Sequence, residues 1–372
     1  MPSAISPVSP STPPSCKPTS AAPGRGAGGA TCRRRNSRPC ARFWGRSSRC
    51  WVMNDPLPRP FFILGVHRSG TTLLRYMLNS SPRLYIPPES DFIPRFFGRN
   101  PAGTLTPART AHLLRFIFAR YRFVREWQGD PPDPNAFWRA MPAPTPAGFL
   151  HALYGAYMRQ RGAVRWGDKT PIYTSYIGLL ARIFPEAQFV HLIRDGRDVA
   201  LSMVNKWGKQ EFHIDLYFAA RSWVRRIRQA QTASAKLPPA QYYELRYEDL
   251  VAAPERELRA LCDFLGEPYT PAMAEPHRLA RRDIPPDGFH APIRRPPGTQ
   301  SVGRWRRDMP PADARLVQRV AGSLLVELGY GVEDLGPMPA SERARYVALA
   351  AKYLVLQAGR RVLQAMGLMP PI

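Results

Sequence analysis

Short apolar runs closed by glycine or arginine alternate along this chain with longer stretches whose apolar residues recur at helical spacing. The first run, Phe61-Phe62-Ile63-Leu64-Gly65, has the continuous apolar character of a strand buried on both faces. A glycine-bearing turn follows, and Thr72-Leu73-Leu74-Arg75-Tyr76-Met77-Leu78 then reads as an amphipathic helix. Leu84-Tyr85-Ile86 predicts a second short strand, closed by Pro87-Pro88. Prolines interrupt the pattern between 100 and 160, where helical stretches are expected near 111–124 and 149–160. The strand, turn and helix arrangement returns at 188–193, at Arg194-Asp195-Gly196 and at 199–207. A strand at 241–245 and a helix at 254–265 follow. After them come a basic, proline-rich loop over 278–307 and a last core helix over 312–328. Strands alternating with helices predict an α/β fold with a central parallel sheet and helices on both faces. No internal repeat is visible.

The turn after the first strand carries the chemistry. Gly65-Val66-His67-Arg68-Ser69-Gly70-Thr71-Thr72 has the G-x4-G spacing of a phosphate loop. Backbone N–H groups in such a turn converge on phosphate oxygens, and the helix N-terminus adds partial positive charge. This loop predicts the three-layer fold of P-loop-containing nucleoside triphosphate hydrolases. Yet Thr71 stands where a Walker A loop has Lys, and the strand at 188–193 ends in Arg194 before any Asp. Arginine in place of a metal-holding carboxylate suits Mg-ATP poorly. It suits a nucleotide that carries an extra phosphate and needs no metal. The rival readings are a P-loop kinase or NTPase acting on a small molecule, and a glycine turn with incidental hydroxyls.

With these residues in place, the sequence resembles the sulfotransferases that use 3′-phosphoadenosine 5′-phosphosulfate (PAPS). It is similar to bacterial sulfotransferase-family proteins and, more distantly, to tyrosylprotein sulfotransferases. The resemblance rests on GVHRSGTTLL at 65–74, PPES at 87–90, WGDKTP at 166–171 and FPEAQFVHLIRDGRDVALSM at 184–203. It continues through RYEDL at 246–250, DFLG at 263–266 and VGRW at 302–305. It implies that Arg68, Ser69, Gly70, Thr71 and Thr72 hold the 5′-phosphosulfate, and that Arg194 and Ser202 hold the 3′-phosphate. Ser202 lies eight residues beyond Arg194, about two helical turns, so both can flank one phosphate. Ser301, Gly303 and Arg304 resemble a late loop that closes over the nucleotide, and Tyr247 is expected near it. PAPS would be the co-substrate, with no metal expected.

Sulfuryl transfer is an in-line displacement, so it needs a base facing the acceptor and a cation near the bridging oxygen. Glu89 is the candidate base, since it resembles a glutamate of the tyrosylprotein enzymes in a similar place; a helix-capping or ion-pairing carboxylate, with Arg95 as one partner, is the competing reading. Lys169 resembles their catalytic lysine, against a simple pairing with Asp168 or another surface carboxylate. Arg68 is the third candidate catalytic group, contacting the 5′-phosphate or the sulfuryl oxygens. His67 reads as a loop residue and His191 as a core histidine. Asp195, Arg197 and Asp198 are expected to orient the start of the following helix. Trp166, Trp223 and Trp305 read as packing residues.

Composition sharpens the organisation. The chain has 372 residues and a formal net charge of +25. Residues 1–52 hold nine Lys/Arg, no acid and many Pro, Ser, Gly and Ala, which leaves +16 on the remaining 320 residues. That excess attracts a polyanion, but bulk charge does not choose among nucleotide, nucleic acid and membrane. No recognition helix or aromatic RNA-binding signature supports nucleic acid. No uncharged apolar run reaches the ~18 residues of a spanning helix. Four of the five cysteines lie in 1–52 and only Cys262 in the body, which suits a reducing, cytoplasmic setting.

The expected organisation is therefore a basic segment over 1–52, a sulfotransferase domain over 53–335 with a helical, proline-rich insert near 100–160, and a helical tail over 336–372. Three readings of 1–52 stay open: a disordered tail, a transit peptide, or sequence upstream of a true start at Met53. The last is favoured. The tail helix, near 341–364, would cover the core, dimerise or touch an anionic membrane peripherally. The acceptor is expected to be a hydroxyl-bearing small molecule, glycan, lipid or tyrosine (or an amine).

Overall fold

Five parallel strands form the central sheet: β1 (Phe61–Leu64), β2 (Leu84–Tyr85), β3 (Arg165–Lys169), β4 (Gln188–Ile193) and β5 (Tyr242–Arg246). Their order is β2-β3-β1-β4-β5. The computed structural model describes residues 57–366, apart from 121, 212, 288 and 289. All of these lie in a compact unit over 43–372. The readings of 1–52 and of a start at Met53 fall outside the described residues.

Helix α1 (Thr71–Asn79) connects β1 to β2. Between β2 and β3 come α2 (Ile93–Phe97), α3 (Pro107–Arg120), α4 (Pro134–Ala140) and α5 (Pro146–Gln160). A 3-10 turn (Pro171–Ser175) and α6 (Ile177–Ile183) lead into β4, and α7 (Gly196–Trp207) and α8 (Leu216–Ser234) lead out of it. After β5 follow α9 (Tyr247–Ala252), α10 (Pro254–Leu265), α11 (Pro276–Asp283), α12 (Trp305–Asp308), α13 (Pro311–Glu327) and α14 (Ala340–Ala365).

Alternation along β1 builds the two interior layers. Phe61 and Ile63 pack with Leu74 of α1 and Leu258 of α10. Phe62 and Leu64 point to the other face, against Phe149, Trp166 and Phe189. A third cluster joins Val199 of α7, Trp223 of α8 and Val317 of α13. The three layers are thus those of the expected P-loop-like α/β fold.

Two elements depart from the pattern expected of the sequence. β3 reads Arg-Trp-Gly-Asp-Lys, yet all of it is buried between β2 and β1. Its charged groups are partnered inside: Arg165 Nη2 donates to Gln188 Oε1 at 2.6 Å, and Asp168 Oδ2 accepts from Ser90 Oγ at 2.6 Å. Helix α8 carries its apolar stripe on Leu216, Ala219, Ala220, Trp223, Ile227 and Ala230, interleaved with Arg221, Arg225, Arg226 and Arg228.

Helix α14 covers the core with one face. Tyr353 is buried against Tyr217, and Lys352 pairs with Asp215 at 2.9 Å. Its other side leaves Val347, Leu354, Val355, Val362 and Met366 exposed. Among the described residues no helix is long and apolar enough to cross a membrane.

Candidate active site

The chain crosses between the two halves of the sheet at β1, whose neighbours are β3 and β4. Ligands of open parallel sheets bind in the crevice at such a switch point, beyond the carboxyl ends of the strands. The loop after β1, Lys169 at the end of β3 and Arg194 after β4 all emerge there.

Close approaches shape the loop. A Cβ on Gly65 would lie 2.8 Å from the Leu192 carbonyl oxygen, and one on Gly70 would lie 2.5 Å from the Tyr247 ring. Gly70 has φ +97°, which favours glycine, and Arg68 adopts φ +75°, a strained conformation for a residue that carries a Cβ. The Gly65 amide donates to Thr174 Oγ1 at 2.8 Å, fixing the loop to the turn after β3. Ser69 and Thr71 are buried, and the Ser69 hydroxyl has no hydrogen-bond partner. α1 starts at Thr71 with no side-chain cap and no acid in its first turn. Its first N–H groups therefore face the loop with an uncompensated positive end.

Glu89 and Lys169 form an ion pair, Nζ to Oε1 2.5 Å, and Lys169 Nζ also donates to Thr72 Oγ1 at 3.4 Å. Lys169 is buried, while the Glu89 side chain is 42% exposed. Burial lowers the Lys169 ammonium below the usual lysine range, and Glu89 only partly restores it. Burial also pushes the Glu89 carboxyl up, but the Lys169 charge and hydrogen bond outweigh it and hold the group below its ordinary value. The ion pairs expected of Glu89 and Lys169 are thus made with each other, not with Arg95 or Asp168. Asp168 faces away, accepting from Ser90, Tyr154 and Thr170, and Arg95 lies over the Phe116 ring.

Arg194 is buried with its guanidinium 4.5 Å from the Tyr247 ring centroid. It donates to the carbonyls of Arg68 at 3.1 Å and Ser301 at 2.5 Å, and its Nε has no partner. Ser202 Oγ accepts from Arg68 Nε at 2.9 Å, so the hydroxyl expected beside Arg194 is engaged by the other arginine of the site. Burial first, then the charge of Arg194, holds Arg68 down to about 10, and it remains a cation at neutral pH. Tyr247 thus packs between the loop and Arg194. Ser301 and Gly303 close on this edge. Arg304 turns outward to Asp308 at 2.7 Å, because a carboxylate one helical turn on competes for it.

The sequence patterns missed several residues. Asp198 does more than orient α7: its carboxylate accepts from the amides of Gly303 at 2.8 Å and Trp305 at 2.9 Å. It pins the late loop beside Arg194. Thr174 fixes Gly65, as above. His290 feels the charges of Lys169, Arg68 and Glu89, and burial first, then Lys169, takes it down to about 4. No spacing signal could have placed it there, since it stands alone in an irregular loop. His67 is likewise held at about 4, by burial and then Arg226, and its ring meets Trp207 edge-on. His191 is buried in β4 with Nδ1 2.6 Å from the Tyr242 hydroxyl, a core position. Trp166, Trp223 and Trp305 are buried packing residues.

The family model described as "Sulfotransferase family" matches residues 60–271. The chain belongs to the sulfotransferase family. Nodulation protein NoeE of Sinorhizobium fredii (strain NBRC 101917 / NGR234) is 27% identical over 305 residues, covering 74% of this chain and 67% of that one. Protein-tyrosine sulfotransferase 1 of Danio rerio is 26% identical over 309 residues, covering 75% and 74%. An uncharacterized protein of Aquifex aeolicus (strain VF5) is 28% identical over 261 residues, and the matched part spans only 31% of its length. The sulfotransferase domain of the Synechococcus PCC 7002 olefin synthase aligns with TM-score 0.49 at 23% identity, over 73% of this chain and 96% of that domain.

This sulfotransferase carries residues that fit the family's donor, PAPS. The buried Ser69 hydroxyl and Arg194 Nε lack partners, and Gly65 and Gly70 leave room where side chains would intrude. Family membership also decides between sulfuryl transfer and the kinase reading, in favour of the former.

Proposed function

We propose that this enzyme transfers the sulfuryl group of PAPS to a hydroxyl-bearing acceptor, with Glu89 as base and Lys169 as the cation at the leaving oxygen. One observation carries the proposal: a carboxylate and a buried ammonium lie 2.5 Å apart, and the same ammonium reaches a hydroxyl of the phosphate loop.

Bound in the loop, PAPS supplies the sulfuryl group, whose sulfur bonds to the acceptor oxygen as its bond to the phosphate oxygen breaks. Glu89 takes the acceptor proton. Lys169 donates to the phosphate oxygen on which negative charge grows, a preorganised donor in a site of low dielectric. Arg68 and the amides at 69–72 fix the 5′ end, and Arg194 with Ser202 fixes the 3′ end. Tyr247 supports the loop, and Ser301 and Gly303 close the nucleotide side. Arg304 reaches the nucleotide by leaving Asp308.

The Glu89–Lys169 pair couples the two roles. While Lys169 stays on Glu89 it weakens the base; drawn toward donor charge, it leaves a stronger one. Relatives named for protein tyrosine and for omega-hydroxy-beta-dihydromenaquinone-9 are consistent with a small-molecule, lipid or protein acceptor. The test is turnover of labelled PAPS over a panel of phenols, sugars and lipid alcohols, with Glu89→Gln and Lys169→Ala as controls. Labelled product from wild type alone supports the assignment. Equal turnover by both variants refutes it.

A further inference from the structure

We propose that Arg225, Arg226 and Arg360 form a second anion site, on the acceptor side of the catalytic centre, which takes a phosphate, sulfate or carboxylate group carried by the acceptor. The inference rests on the sulfuryl-transfer reading above. Arg225 and Arg226 lie on α8, within the stretch matched by the family model, and Arg360 lies on α14, beyond it.

The three guanidiniums are gathered without a counter-charge. Among the described residues, no carboxylate lies within ion-pair distance of any of them. A guanidinium carries five N–H donors. Yet among the described residues the cluster makes a single, long hydrogen bond, Arg226 Nη1 to the Pro171 carbonyl at 3.4 Å. The Nε atoms of Arg225 and Arg360 are buried without any partner. Burial first, then the charges of Arg225 and Arg360, lowers Arg226 to about 10, so all three repel one another and Arg226 is still charged at neutral pH. Buried donors are ordinarily satisfied, and like charges are gathered at a buried place where an anion completes them.

Position says which substrate brings that anion. Arg226 binds the carbonyl two residues beyond Lys169, and its charge acts on His67 of the phosphate loop. The strand order β3-β1-β4 puts Lys169 and Pro171 on one side of the loop and Arg194 on the other. The cluster therefore lies on the Lys169 side of the loop, away from Arg194. From Arg225 a surface groove of about 790 Å³ continues between α6 and α8, lined by Arg182, Arg221 and Lys236, by apolar Val224 and Leu237, and by Arg228, which is paired with Glu327. An elongated anionic acceptor has a path there.

The test is calorimetric titration of the protein saturated with adenosine 3′,5′-bisphosphate (PAP), so that the donor cradles are filled. Phenyl phosphate is expected to bind once, at least tenfold tighter than inorganic phosphate. Arg226→Gln, and separately Arg225→Gln with Arg360→Gln, are expected to weaken it by about tenfold or more while PAP affinity stays within about twofold. Melting temperatures confirm that the variants fold. No phenyl phosphate binding to the PAP complex, or equal binding by wild type and both variants, overturns the site. Inorganic phosphate binding as tightly as phenyl phosphate marks a free-ion site and overturns the acceptor assignment. Failure of PAP itself to bind refutes the sulfuryl-transfer reading instead.

Discussion

Lys169 and Arg194 are both buried cations, and the proposed mechanism gives them different parts of the nucleotide. Removing Lys169 takes away a donor that matters as the leaving oxygen gains charge. Lys169→Ala is expected to lower kcat by about a hundredfold or more with PAP affinity little changed. Single-turnover kinetics beside a PAP titration check the split, and equal losses in both would contradict it. Arg194→Ala is expected to do the reverse. A charged hydrogen bond contributes about 1.5–3 kcal/mol, so PAP binding should weaken by about 10- to 150-fold.

Protonation gives a second handle at this scale. Glu89 in the folded protein sits below its ordinary 4.5, so it is ionised at neutral pH and is lost as a base only as pH falls through that lowered value. The stability it contributes has the same sign: present above the unfolded pKa, lost on acidification. Lys169 sits below its ordinary 10.5, so its charge is lost earlier on the alkaline side. The kcat profile is therefore expected to be bell-shaped, with its acid limb below 4.5 and abolished in Glu89→Gln. An acid limb near the ordinary histidine value would assign the base elsewhere. Much of this site was legible residue by residue, because the loop and the Arg194 motif have fixed spacing. The Glu89–Lys169 contact was not, since the two residues come from separate chain segments. His290 was not legible either, since an isolated histidine has no spacing to read.

At the scale of elements, the apolar runs of β1 and β4 announced themselves, because strands buried on both faces leave a continuous hydrophobic signature. β3 did not. Its charged side chains are partnered by Ser90, Thr170, Gln188 and Glu89, all distant in sequence or invisible to periodicity. α8 was hidden by the arginines interleaved with its apolar stripe, two of them exposed and two half-buried. The link between α7 and the late loop yields a prediction. Asp198→Ala removes the acceptor of the Gly303 and Trp305 amides. Hydrogen exchange at those two amides is expected to accelerate, and PAP affinity to fall, with protection of β1 and β4 unchanged. Unaltered exchange would mean that the loop is held by other contacts. Gly70→Ala tests the opposite edge: with φ +97° and a Cβ 2.5 Å from Tyr247, it should weaken PAP binding and lower the melting temperature together.

For the whole molecule, the charge of +25 places a polyanionic nucleotide in an attractive field well beyond contact range. The association rate of PAP should fall with ionic strength more steeply than its dissociation rate rises, a pattern stopped-flow measurements resolve. The central claim is that one bisphosphorylated nucleotide is gripped at both ends, by the loop at 68–72 and by Arg194 with Ser202. Calorimetry in the presence of a chelator tests it directly, comparing PAP, AMP and ATP on wild type and Arg194→Ala. The account predicts that PAP binds without metal, that AMP binds at least about tenfold more weakly for want of the 3′-phosphate, and that Arg194→Ala erases the difference. Binding of ATP only once magnesium is restored, with PAP ignored, would contradict it.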